Sequence, residues 1–138
     1  MTTTFINEKE WGIDKKIFTP VINRLQEAIE VLDGIINVIF VTDVYIKSLN
    51  KSYRDKDEAT DVLSFNYQKE MPGDDSNLVG EIYISMDTAK RQAEEYEVPL
   101  IDELKKLFVH GFLHIHGYDH ESDEDYEIMS KIEEKILA

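Results

Sequence analysis

The chain contains no cysteine among its 138 residues, so no disulfide framework holds it together and no thiolate is available to bind a metal. That absence fits a reducing compartment. There is no uninterrupted apolar run approaching membrane-spanning length, and the first residues, MTTTFINEKEW, lack both a basic segment and an apolar signal core. A soluble, cytoplasmic protein with no membrane partner is expected. Positive charge is scarce as well: 15 Lys and Arg stand against 29 Asp and Glu, a formal net charge of -14. This balance ordinarily argues against a nucleic-acid partner, because phosphate binding draws on lysine and arginine. The few cations are unevenly spread, however. Residues 47–56, KSLNKSYRDK, carry Lys47, Lys51, Arg54 and Lys56 against Asp55 alone, whereas residues 119–138 are dominated by acids. A solvated helix face accounts for the lysines taken singly. Arg54 stands apart, at the end of its expected helix and before a loop.

The length is that of one domain, 1–138, able to bury roughly two-thirds of its unfolded surface without staples. TTTFIN reads as a first strand. Val21, Ile22, Leu25, Ala28, Ile29 and Leu32 then recur at helical spacing through residues 17–33, stopped by Gly34. IINVIFV is rich in β-branched residues and predicts a central strand, after which Asp43 caps a helix running to about Tyr53. DVLSFNY and LVGEIYIS predict two more strands, a hairpin across the turn or short loop QKEMPGDDSN. Ser85 or Asp87 opens a helix containing TAKRQAEEY. Pro99 opens the next at its first turn, and Ser122 with Asp125 resembles a capping box before the last. The order β-α-β-α-β-β-α-α-α implies an α/β (α+β) fold: a mixed four-stranded sheet packed with about five helices.

The most informative segment is HGFLHIHGYDH, His110 to His120. His110 and His114 are four apart and share one face of a helix, and Gly117 permits a turn that returns His120 alongside them. The helix is apolar nearly all round from Leu107 to Ile115, so two imidazoles in it need partners, and one shared cation satisfies both while explaining the third. The expected ligands are therefore His110, His114 and His120, holding one ion per chain, with zinc the default for an all-nitrogen set. Three protein ligands leave a tetrahedral ion one position short, as in a catalytic site; a closed structural site would take a fourth from Asp119 or His116. His116 reads as lying outside the ligand set. Asp119 is placed to orient an imidazole through its second nitrogen.

The spacing H-x-x-x-H-x-x-G-x-x-H is similar to the metzincin protease signature, but Gly111 stands where those proteases carry the glutamate that activates water. Gly111 instead marks either the close approach of backbone or substrate, or plain packing.

Taken together, three blocks resemble the YbeY family of metal-dependent endoribonucleases and rRNA maturation factors. HGFLHIHGYDH is similar to the family's H-G-x-L-H-x-x-G-Y-D-H. LNKSYRDKDEATDVLSFN, residues 49–66, resembles L-N-x-x-Y-R-x-K-D-x-P-T-D-V-L-S-F-P with Ala59 and Asn66 replacing prolines. LVGEIYIS is similar to L-x-G-D-I-x-I-S, with Glu81 for aspartate. The resemblance implies one α/β domain, one catalytic zinc on His110, His114 and His120, and Arg54 facing the site. Arg54, with His114 acting through the metal, would be the catalytic pair. Single-stranded RNA, specifically ribosomal RNA during maturation of the 16S 3′ end and in ribosome quality control, is the implied substrate, with the ribosome or a ribosomal protein as partner.

An arginine there is apt, since a guanidinium binds phosphate through two parallel hydrogen bonds and stabilises the extra charge of a pentavalent transition state. Tyr53, Phe65, Tyr67 and Tyr118 lie nearest these motifs and offer stacking surface for bases, although a core role is the plainer reading, above all for Phe65. Two other classes stay open: a metallohydrolase acting on another substrate, and a noncatalytic ribosome-associated assembly factor whose metal is structural.

Overall fold

A computed structural model describes residues 1–67 and 77–138. Within them, β1 (Thr2–Ile6), a 3-10 turn (Lys15–Phe18), α1 (Thr19–Ala28), β2 (Ile35–Val41), α2 (Asp43–Arg54), β3 (Val62–Asn66), β4 (Leu78–Ser85), α3 (Met86–Glu95), α4 (Leu100–Ile115) and α5 (Asp123–Leu137) follow in order. The four strands form one mixed sheet in the order β1-β2-β4-β3. β2 runs parallel to both β1 and β4, and β3 pairs antiparallel with β4, placing Phe65 opposite Glu81. The predicted four-stranded sheet and five helices are thus observed. The loop read at QKEMPGDDSN lies, apart from Asn77, outside the described residues.

β2 is apolar on both faces because both faces are covered. Ile36, Val38 and Phe40 point into the main core, where Phe18, Leu25, Leu104, Phe108 and Phe112 are fully buried. Ile39 and Val41 point the other way, against Ile46 of α2. So α2 covers one face of the sheet, and the histidine helix α4 crosses the other. Gly111 explains how closely α4 approaches: a Cβ there would lie 2.8 Å from Ile82 Cγ2, so the residue serves packing against β4. The Asn66 amide donates to the Ile115 carbonyl at 2.7 Å, fixing the C-terminal end of α4 to edge strand β3.

Two boundaries differ from the sequence reading. α1 ends at Ala28, not at residue 33, because Ile29 turns extended (φ −132°, ψ 160°) and the Leu32 N–H is bound by His116 instead of by a helical carbonyl. Gly34, at φ 136°, then admits Asn77 O to within 2.5 Å of where a Cβ would sit. Thr42, not Asp43, caps α2, accepting from the Tyr45 N–H at 3.2 Å. Of the two openings read for α3, Ser85 is the cap, and Ser122 caps α5 as read.

Candidate metal centre

The last two turns of α4 carry His110 and His114 on the side of the helix that the core leaves open; Leu107, Phe108, Phe112, Leu113 and Ile115 occupy the rest of its surface. The helix stops by folding its C-terminal donors back, with Gly117 N–H to the His114 carbonyl at 3.0 Å and Tyr118 N–H to the Leu113 carbonyl at 3.1 Å. Gly117 adopts φ 92°, which a Cβ would strain, and the chain reverses so that His120 meets the other two. One ring nitrogen from each of the three histidines falls within 4.8 Å of the others. His110 Nε2 and His114 Nε2 are 3.0 Å apart.

His110 Nδ1 lies 3.3 Å from Glu133 Oε1 of α5. A carboxylate can only accept, so that nitrogen donates, and in the neutral ring the Nε2 lone pair is then the one turned into the cluster. His114 titrates below the ordinary histidine range: burial lowers it first, then the neighbouring charges of His110 and His120, with the Tyr118 backbone and Glu133 pulling the other way. Neutral imidazoles with converging lone pairs are what a borderline cation requires, so the donor set fits a single zinc-like ion.

His116 faces away from this cluster. Its Nδ1 bonds the Phe112 carbonyl at 2.8 Å, its Nε2 accepts the Leu32 N–H at 3.0 Å, and its ring stacks on Phe112. Burial lowers its pKa, with the Phe112 bond opposing. It ties the histidine helix to the α1–β2 connection. Asp119 does not take the orienting role considered for it: its Oδ1 accepts the Glu121 N–H at 3.2 Å. Glu133 does so instead. The sequence carried a signal for this, since Glu133 stands four residues after buried Met129 and three before buried Ile136, a carboxylate on the inward stripe of its helix.

Arg54 is the last residue of α2, and Asp55 breaks the helix in the left-handed region (φ 56°, ψ 36°). The buried Asn50 amide holds the following loop through the Glu58 carbonyl at 2.9 Å. Arg54 donates to the Ser64 carbonyl at 3.1 Å and lays its guanidinium over the Phe65 ring, 4.7 Å from the centroid. It lines the same cleft, of about 770 Å³, as His110, His114 and His120, so two segments far apart in the chain share one opening. Lys56 lines the same cleft. Ser64, also in that cleft, meets Arg54 through its carbonyl.

Residues 4–138 match the family described as Endoribonuclease YbeY. Among individual proteins, the chain is 49% identical over 109 residues to Endoribonuclease YbeY of Desulforamulus reducens, covering 76% of this chain and 71% of that protein. It is 35% identical over 140 residues to Endoribonuclease YbeY of Treponema denticola, covering 99% and 90%. The solution structure of a Thermotoga maritima protein superposes with a TM-score of 0.61 at 32% identity, covering 97% of this chain and 88% of that one.

Proposed function

The chain belongs to the YbeY endoribonuclease family, and from that premise we propose that it is a metal-dependent endoribonuclease cutting single-stranded RNA internally during ribosomal RNA maturation. The observation that carries this reading is the shared cleft: three convergent imidazoles and one guanidinium open onto the same space. A protease reading lacks its base, since the position is Gly111 and is filled by packing against Ile82.

His110, His114 and His120 would hold one zinc ion. Bound there, zinc supplies a Lewis acid that polarises a phosphoryl oxygen or acidifies a water molecule. The protein's own groups do the rest. Glu133 keeps the His110 ring in the tautomer whose Nε2 faces the site. Arg54 holds the scissile phosphate by paired N–H donors and neutralises the charge that accumulates as the phosphorus becomes pentavalent. Its stacking on Phe65 and its bond to Ser64 fix the plane of the guanidinium before substrate arrives, which lowers the ordering cost of binding. Lys47, Lys51 and Lys56, exposed beside it, extend a cationic track for the flanking backbone.

Against a formal net charge of -14, that track is short. Association with the ribosome or a ribosomal protein, in the cytoplasm, would present the substrate that bulk charge repels. Among the described residues no helix is long and apolar enough to cross a membrane. The test is cleavage of one labelled RNA offered single-stranded and as a duplex, with and without chelator. Internal cuts confined to the single strand, lost on chelation and restored by zinc, are expected; cutting that persists in chelator would refute the proposal.

A further inference from the structure

On the opposite face of the sheet from the histidine helix lies a second pocket, of about 520 Å³, and its walls are aromatic. Tyr45, Leu49 and Tyr53 contribute one side, recurring every fourth residue along α2. Phe65 of β3, Tyr67 just beyond that strand and Tyr83 of β4 contribute the other. Phe65 is the hub, stacked with Tyr67 at 6.4 Å between centroids and meeting Tyr53 and Tyr83 edge-on at 5.6 and 5.8 Å. The Tyr67 and Tyr83 hydroxyls both donate to Glu81, which anchors two of the walls.

Core packing does not account for all of these rings, since Tyr45 is 48% and Tyr53 65% exposed. Arg54 lines this pocket as well as the metal cleft, so one guanidinium stands where the two openings meet. Resting on the endoribonuclease reading above, we propose that the aromatic pocket is a nucleobase subsite, receiving one base of the strand whose scissile phosphate Arg54 holds.

The chemistry favours a base over an apolar protein side chain. A nucleotide joins a flat π-face to a phosphate, and the pocket joins flat rings to a phosphate-binding cation. Lys47 and Lys51, exposed on the same helix, suit the flanking phosphates. The volume falls within the range of small-ligand pockets. Stacking on aromatic rings tolerates any base, so this subsite would confer a requirement for an unpaired, splayed nucleotide rather than a sequence. It therefore supplies a physical origin for single-strand preference, because a base held in a duplex cannot enter it.

The test is steady-state cleavage by the zinc-loaded protein of a single-stranded RNA carrying one abasic ribonucleotide, moved in turn through the positions flanking the cut. At one position the missing base should raise KM about 5- to 100-fold with little change in kcat. Tyr53→Ala, on an exposed side chain, should raise KM for intact RNA similarly and be insensitive to the abasic substitution, while Tyr53→Phe retains parental behaviour. Tyr126→Ala, on α5 and equally exposed, is the control. A flat abasic scan, or a full abasic penalty surviving in Tyr53→Ala, overturns the subsite while leaving the nuclease intact. Unchanged KM in Tyr53→Ala together with weakened ribosome binding would assign the pocket to a protein partner and overturn it too. No cleavage by the parent protein would overturn the endoribonuclease reading, and the subsite with it.

Discussion

Glu133 Oε1 lies 3.3 Å from Nδ1 of His110, joining the last helix to the histidine cluster across 23 residues of sequence. A carboxylate behind a ligating imidazole fixes the ring and raises its basicity, and loss of such a partner typically costs 10–100-fold in metal affinity or activity. Glu133→Ala should weaken zinc binding by about that factor in a chelator competition, with the fold retained. Glu133→Gln, which keeps an acceptor, should lose less. Equal zinc affinity in the parent and Glu133→Ala would show that the contact does not tune the site.

Removing the metal should leave the protein folded. The three histidines occupy the end of α4 and the turn beyond it, while the core beneath is built from apolar side chains, among them Leu104, Phe108, Phe112 and Ile115. The chelated protein should keep its far-UV circular dichroism and a cooperative urea transition, with a midpoint lowered only by the lost binding energy. Unfolding on chelation would instead mark the ion as structural and favour the noncatalytic reading.

Gly111 separates the two helical histidines and packs on β4. Alanine normally gains about 1 kcal/mol over glycine inside a helix. Here the new Cβ would meet Ile82 Cγ2 at 2.8 Å and Ile82 Cγ1 at 3.3 Å, and Ile82 is wholly buried. Overpacking of this kind costs about 1–3 kcal/mol. Gly111→Ala should therefore lower the urea midpoint and weaken zinc binding as α4 is pushed from the sheet. A stabilised variant would contradict the packing.

Asp43 joins the N-termini of α2 and α3: its carboxylate accepts from Ser85 Oγ and Thr88 Oγ1, each at 2.6 Å, and from Arg91 at 2.9 Å. Burial alone would raise its pKa, but these three donors and the Arg91 charge outweigh it and hold the carboxyl below the usual value. A depressed carboxylate contributes stability above its unfolded pKa of about 3.9, and that contribution disappears as pH falls through the folded value. Asp43→Asn should cost about 1.5–3 kcal/mol near pH 7. The gap should narrow in acid, below about pH 4. Urea midpoints that differ by the same amount at pH 7 and pH 3 would rule this out.

The histidine cluster was legible because its geometry is local: an i, i+4 pair and a glycine turn place three imidazoles together whatever surrounds them. Strand and helix order were legible for the same reason, through periodicity and caps. What depended on tertiary packing was not. Residues 29–33 keep helical spacing, yet Leu32 spends its N–H on His116, a partner 84 residues away. The pairing of His110 with Glu133 requires α5 to lie beside α4, and the aromatic pocket exists only once α2 covers Phe65 and Tyr83. Arg54 was singled out by its place in a motif and at a helix end; the fold adds that it stands between two openings.

Whether His114 and Arg54 act in one site on RNA is tested by cleavage of a labelled single-stranded RNA by zinc-loaded protein beside identically purified His114→Ala and Arg54→Ala variants. Internal cleavage by the parent should be lost in both variants, with His114→Ala also losing zinc and Arg54→Ala retaining it. Equal cleavage in all three preparations would contradict a shared role for the two residues.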